Sequence, residues 1–230
     1  MLIDISKNHL TVKNFHSNMT ITLLSVVTSE DYIERTLKSM KISLDSKSFD
    51  DAIIICPKNE YKGPWYGILQ INESIEWKDY SEWFLKNLVN YVNTDFVLCV
   101  QWDSCIVNPE LWDDKFLNYD YIGAPWPHNW INRVGNGGMS CRSKKFLEEC
   151  SRLRYYKTLG ENGEDYFACI NSYHDMINSG IKFAPLDLAR KFAVEYPIPE
   201  APHSYNDLSS YNSFGFHGVF NTAGMRFIND

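Results

Sequence analysis

Ile21-Thr22-Leu23-Leu24-Ser25-Val26-Val27, then Thr28-Ser29-Glu30-Asp31, then Ile33, Leu37, Met40 and Leu44 in phase, then Ala52-Ile53-Ile54-Ile55-Cys56 closed by Pro57: this stretch decides the fold. The first run is short, apolar and rich in β-branched residues, the composition of a buried strand. Ser29 stands where a helix N-cap belongs, and the apolar positions after it recur at helical spacing. The second apolar run predicts another buried strand, stopped by a proline that has no N–H for a ladder. Doubly buried strands joined through a crossover helix predict a parallel α/β sheet with helices on both faces.

Working outward, the spacing of Tyr80, Phe84, Leu88 and Tyr91 predicts a helix near 79–93. Asn93-Thr94-Asp95 then leads into a third buried strand, Phe96-Val97-Leu98-Cys99-Val100. A turn-rich middle follows, and a helix starts near Ser143 with Phe146, Leu147 and Cys150 inward. A last helix is expected over 164–179, with Phe167, Ile170, Tyr173 and Ile177 inward and Gly180 placed to end it. The tail, rich in Gly, Asn, Ser and aromatics, reads as loop rather than core, and the first eighteen or so residues read as a polar arm or edge strand. With no repeat, low-complexity block or linker, the expectation is one domain over 1–230.

A chain of 230 residues that is 44% hydrophobic and 15% aromatic can bury a sizeable core. Lys and Arg number 22 against 29 Asp and Glu, and a formal charge of −7 offers no footprint for the phosphates of a long nucleic acid. No apolar run approaches the ~20 residues of a membrane span, and Met-Leu-Ile-Asp-Ile-Ser-Lys at the start lacks the pattern of a signal peptide. The expected location is cytoplasmic. The six cysteines, Cys56, Cys99, Cys105, Cys141, Cys150 and Cys169, form no C-x-x-C pair and read as buried reduced thiols rather than disulfides or zinc ligands.

Ligands of open parallel sheets sit beyond the carboxyl ends of the strands, which directs attention to Thr28 through Asp31, Pro57 through Asn59, and Gln101-Trp102-Asp103. An acid directly after a buried strand can hold a divalent cation that neutralises a diphosphate, since Mg²⁺ and Mn²⁺ prefer oxygen ligands and leave positions open for phosphate. Asp103 is so placed, although it also suits the start of a turn before Asn108-Pro109. Gly135-Asn136-Gly137-Gly138 implies backbone at positive φ or in close approach to a ligand, or else an ordinary hairpin turn; its spacing is not that of a dinucleotide fingerprint. Glu164-Asp165 opens the predicted helix, where the dipole favours carboxylates; one caps the helix and the other could deprotonate an acceptor hydroxyl. His217, in Phe214-Gly215-Phe216-His217-Gly218, suits either a structural role or a bound group for which the glycines make room. Lys58, Arg133 and Arg142 are the cationic alternatives to a metal, each otherwise a solvated surface residue.

These segments occur in a fixed order: Phe96 through Asp103, Tyr119-Asp120-Tyr121-Ile122-Gly123-Ala124-Pro125-Trp126, Gly135 through Ser143, Glu164-Asp165, and Phe214 through Gly218. From about Thr20 to His217 the chain resembles an uncharacterised family grouped with GT-A glycosyltransferases. The resemblance implies a GT-A-like, Rossmann-like fold, with a mixed, mostly parallel sheet and helices on both faces, and a nucleotide-sugar donor. It makes Gln101-Trp102-Asp103 similar to a D-x-D motif with Gln101 in place of the first acid, and puts Asp103 at the metal-binding position. Gly137 and Gly138 resemble the pair that borders donor sugar and acceptor, with Arg142 after them as an anion contact. Glu164-Asp165 resembles the E-D pair of inverting enzymes, with the base at Asp165, and His217 resembles a late histidine that completes metal or diphosphate binding.

The two lines of reasoning agree, because sugar transfer needs positive charge on the leaving diphosphate and a base on the acceptor. The expectation is therefore an inverting glycosyltransferase using Mn²⁺ or Mg²⁺, with residues 20–105 holding the donor and 106–230 facing the acceptor. Thr28, Lys58, Gln101, Trp102, Asp103, Gly137, Gly138 and Arg142 are assigned to the donor. Asp103 and His217 are assigned to the metal, and Asp165 with Glu164 to catalysis. Trp126 and Trp130 are assigned to stacking on an acceptor sugar, with core packing as the other reading. The acceptor is a glycan, protein or small molecule in this reading. The rivals are a non-catalytic nucleotide-sugar or glycan-binding module, motivated by Gln101, and a transferase acting on modified DNA bases, which the acidic charge disfavours.

Overall fold

The computed structural model describes residues 19–156 and 163–229. The expected N-terminal arm lies outside the described residues. β1 (Ile21–Val26) ends at a 3₁₀ turn, Glu30–Tyr32, where the Ser29 hydroxyl accepts the Asp31 N–H before α1 (Ile33–Ser46) begins. The chain then forms β2 (Asp51–Cys56), β3 (Leu69–Asn72), α2 (Tyr80–Asn87) flanked by 3₁₀ turns, β4 (Phe96–Val100), and the short β5 (Ser104–Ile106) and β6 (Tyr121–Gly123). Beyond them come β7 (Met139–Ser143), α3 (Lys144–Arg152), the single turn α4 (Glu164–Tyr166), α5 (Tyr173–Asn178), α6 (Leu186–Phe192), β8 (Ala193–Val194), β9 (Gly215–His217) and α7 (Thr222–Asn229).

The main sheet has six strands in the order β3-β2-β1-β4-β7-β6. β1 is parallel to β2 and β4, β2 is parallel to β3, and β7 alone runs against its neighbours β4 and β6. Alternation along each strand divides the core by face. Leu23, Ile54 and Leu98 pack with Ile33, Leu37 and Met40 of α1 and with Ala189 and Phe192 of α6. Leu24, Ile53, Ile55 and Val97 pack on the other face with Phe84 of α2, Phe146 and Leu147 of α3, and Phe167. The expected mixed, mostly parallel α/β sheet with helices on both faces is thus the observed one. All the cysteines are buried and free.

Two expectations are corrected. The tail is not a loop: β8 and β9 join β5 in a second sheet, and Tyr211, Phe216 and Ile228 form a third buried cluster with Cys105 and Val194. Its strands are two or three residues long, too short for a periodicity to show in the sequence. The helix expected over 164–179 is interrupted by a π-helical turn at Phe167–Asn171 before α5. The extra residue in that turn rotates α5 about its axis, so Met176 is buried and Ile177, expected inward, is 41% exposed. Gly180 does end the helix, at φ +81.

No helix among the described residues is long and apolar enough to cross a membrane.

Candidate active site

The sheet pairings assemble the site. β7 is antiparallel to β4 with Met139 opposite Val100, so the residues before Met139, Gly137 and Gly138, lie at the carboxyl edge of the parallel strands beside Gln101-Trp102-Asp103. β9 pairs with β5 so that His217 is opposite Ser104, one residue from Asp103. β8 runs parallel to β9 with Val194 beside Phe216, which brings Glu195 alongside His217.

His217 Nε2 lies 3.6 Å from Asp103 Oδ1, and His217 Nδ1 lies 3.2 Å from Glu195 Oε1 without hydrogen-bond geometry. Asp103 Oδ1 is buried and has no hydrogen-bond partner. Burial raises the Asp103 pKa, with His217 pulling the other way. Burial also works against a positive charge on His217, but Glu195 and Asp103 outweigh it and hold its pKa above the ordinary value.

Close packing explains the paired glycines. A Cβ on Gly138 would collide with the His217 ring, and one on Gly137 would collide with Arg142, Glu164 and Asp165. The Gly137 N–H donates to Asp165 Oδ2 at 2.8 Å. Two consecutive residues thus touch the Asp103–His217 pair on one side and Asp165 on the other. Burial and the charge of Glu164 raise the Asp165 pKa well above the usual carboxylate range, against the opposing pull of the Gly137 and Tyr166 N–H groups and Arg142.

Thr28 is half-buried after β1, and Lys58 is exposed after β2, on the same edge of the sheet. Trp102 is half-buried, 5.2 Å from the Tyr32 ring and 5.6 Å from the Arg35 guanidinium. The Gln101 backbone N–H donates to Ser104 Oγ at 2.7 Å. Arg133 pairs with Glu200 at 2.9 Å.

Arg142 departs from its expected role as an anion contact. It is 1% exposed, its guanidinium lies over the Phe84 ring at 4.6 Å, and it pairs with Glu164 at 2.9 Å. The alternation along β7 sends this side chain into the sheet face covered by α2 and not toward the cleft. Glu164, itself 5% exposed, is occupied by that pair. Trp126 also departs from expectation as a stacking surface: it is 7% exposed and packed against Gly135. Trp130 is half-buried, with its ring centroid 5.0 Å from Trp126, 5.1 Å from Tyr166 and 4.5 Å from the exposed His128.

Sequence reasoning missed three residues. Glu195 is 7% exposed against His217, and Asn136 links it to the glycines by donating to Glu195 Oε2 at 2.7 Å and accepting the Gly138 N–H at 3.1 Å. Asn221 is fully buried and donates to the carbonyls of Glu195 and His217. The only signal for Glu195 was its position after the apolar pair Ala193-Val194, and Asn136 lay within a motif read for its glycines.

Among the described residues no group of three or more His, Cys, Asp or Glu side chains is arranged to hold a metal ion. The unpartnered Asp103 Oδ1 beside His217 Nε2 nevertheless fits an open site with two protein ligands, the other positions left to phosphate or water. Glu195 at Nδ1 would orient the imidazole and leave Nε2 free to ligate.

The family model described as "Protein of unknown function (DUF5672)" matches residues 71–217. No curated protein matches the chain. Among solved structures, the glycosyltransferase GlyE of Streptococcus pneumoniae TIGR4 aligns at 12% identity and a TM-score of 0.43, over 73% of this chain and 45% of its own. The chain therefore spans less than half of that structure's length. The galactosyltransferase LgtC, in complex with donor and acceptor sugar analogues, aligns at 14% identity and a TM-score of 0.49, over 92% of this chain and 94% of its own. A197 from STIV aligns at 11% identity and a TM-score of 0.37, over 72% and 80%.

Proposed function

The chain belongs to the DUF5672 family, and from its site we propose that it is a GT-A-type glycosyltransferase, moving a sugar from a nucleoside diphosphate to an acceptor hydroxyl. The observation that carries this reading is the convergence of Asp103, His217, Gly137, Gly138 and Asp165 at the carboxyl edge of one parallel sheet. A group suited to hold positive charge and a carboxylate of raised pKa stand on either side of the glycine pair, which packs against both.

Asp103 and His217 Nε2 would hold Mn²⁺ or Mg²⁺, which supplies Lewis-acid stabilisation of the leaving diphosphate when bound. Glu195 and Asn136 keep His217 and the glycine backbone in register. Thr28, Lys58, Gln101 and Trp102 line the donor side. Asp165 takes the proton of the attacking hydroxyl, a step favoured by a pKa nearer the working pH than that of an ordinary carboxylate. Trp130 is the acceptor-side ring, with Trp126 as its backing. Attack by a hydroxyl activated at Asp165 gives inversion at the anomeric carbon.

The test is a panel of UDP- and GDP-hexoses with Mn²⁺, followed by melting temperature and by release of nucleoside diphosphate. A selective shift with turnover supports the enzyme. A selective shift with intact donor after prolonged incubation with a panel of acceptors would make the chain a nucleotide-sugar-binding module. NMR of the product reads the anomeric configuration, and retention would remove Asp165 from the role of base.

A further inference from the structure

Arg142 is a cation on β7, one strand in from the β6 edge of the main sheet, 1% exposed and paired with a carboxylate that is 5% exposed. Burying both members of an ion pair costs desolvation that their attraction does not reliably offset, so a pair of this kind is weak evidence for stability. Its bonding pattern points elsewhere. Arg142 Nη2 donates to Glu164 Oε1 at 2.9 Å, and the same nitrogen lies 3.5 Å from the Gly137 carbonyl oxygen. Arg142 Nε donates to Ser140 Oγ at 3.0 Å, and that hydroxyl donates to the Gly137 carbonyl at 3.1 Å. The N–H of Gly137 donates to Asp165, the residue after Glu164.

These contacts close a ring: Arg142 to Glu164, along the backbone to Asp165, across to the Gly137 N–H, and from the Gly137 carbonyl back to Arg142. The ring ties the strand β7, the glycine segment and the turn α4, and Asp165 and Gly137 are its members on the cleft side. α4 is the first, three-residue turn of a helix that passes at Phe167 into the π-helical segment, and a helix end frays unless further contacts tie it down. We propose that the buried Arg142–Glu164 pair is a positioning device that fixes the rotamer of Asp165 and the plane of the Gly137 peptide against each other. The inference rests on Asp165 as the base for its catalytic meaning, but the geometry it asserts can be measured without turnover.

The experiment uses the full chain and the double variant Arg142→Met with Glu164→Leu, which replaces the ion pair by apolar side chains and leaves no buried charge unpaired. Amide hydrogen exchange by NMR reads Gly137 against Cys141 in the same segment. The expected result is a folded protein whose Cys141 exchange is unchanged while protection of the Gly137 amide falls at least about tenfold. Nucleoside-diphosphate release from whichever UDP- or GDP-hexose the wild type hydrolyses should fall about a hundredfold at unchanged KM, the scale of a small misplacement of a reacting group. Unchanged Gly137 protection in the folded variant overturns the proposal, whatever the activity. A wild type that hydrolyses no donor ends the transferase reading and leaves the exchange measurement to decide the positioning role. If the double variant does not fold, Glu164→Gln carries the same two readouts, and in it a Gly137 amide as protected as in the wild type overturns the proposal.

Discussion

Asp165 is subject to opposing demands, and they have measurable consequences. The Gly137 and Tyr166 N–H groups stabilise its carboxylate, whereas burial and Glu164 favour the neutral acid, and the second set wins. In its proposed role as base Asp165 acts only when deprotonated, so the rate should fall as pH drops through the raised value, with an acid limb well above the ~3.9 of a free aspartate. Asp165→Asn is expected to slow nucleoside-diphosphate release by about 10²–10⁴-fold. The same shift acts on stability: a folded pKa above the unfolded one gives a contribution that is complete below the unfolded pKa and lost as pH rises through the folded value. Asparagine carries no charge at any pH, so the inactive variant should melt above the wild type at about pH 8 and match it at about pH 4. Thermal denaturation at both values checks this, and an equal difference at the two would remove the pKa argument. Gly138 makes a separate prediction, because a methyl group there must displace His217. Gly138→Ala should weaken Mn²⁺ binding by about 10–100-fold, the usual cost of disturbing a metal ligand's support, as read by calorimetry.

At the scale of elements, stability and chemistry reside in different places. α1 fixes one face of the sheet through Leu37, which is fully buried, and Leu37→Ala should cost about 2–5 kcal/mol in urea denaturation. Turnover by the fraction still folded should be unchanged, since Leu37 itself lies in the buried cluster with Leu23, Ile54 and Leu98 and not at the cleft. The elements that carry stability were also the legible ones: β1, β2 and β4 are apolar runs, and Ile33, Leu37 and Met40 repeat at helical spacing. β7 was not legible as a strand, because Met-Ser-Cys-Arg-Ser has the polarity of a loop, and its arginine becomes a core residue only once Glu164 from a distant segment pairs with it. The π-helical turn escaped for a related reason, since a single extra residue leaves the apolar count of the helix intact while changing which residues face inward. The candidate site was partly legible. Asp103, the glycine pair, Asp165 and His217 were visible as residue types after strands or in turns. Glu195 was not, because its meaning depends on the pairing of β8 with β9, and two- and three-residue strands leave no signal to predict that pairing from.

For the whole molecule, charge decides how the proposed nucleotide-sugar donor would be held. The chain carries a formal −7, with Asp103, Asp165 and Glu195 among its acids at the cleft, while Arg142 is buried and paired with Glu164. A diphosphate entering such a field is repelled unless a cation neutralises it, and screening acts mainly beyond about 8 Å at physiological salt, outside the distances within the site. Donor binding should therefore depend on Mn²⁺ or Mg²⁺ far more than on ionic strength. Because a ligand that binds only the folded state stabilises it by mass action, saturation near a hundredfold over Kd adds about 2.7 kcal/mol. The matched UDP- or GDP-hexose with Mn²⁺ should raise the melting temperature clearly, and either component alone should raise it little. EDTA should return the mixture to the value of the protein alone, and addition of about 0.3 M salt should not. A full donor shift in EDTA would transfer the task of neutralising the diphosphate to His217 as an imidazolium, and would leave Asp103 as the counter-ion of that imidazolium instead of a metal ligand.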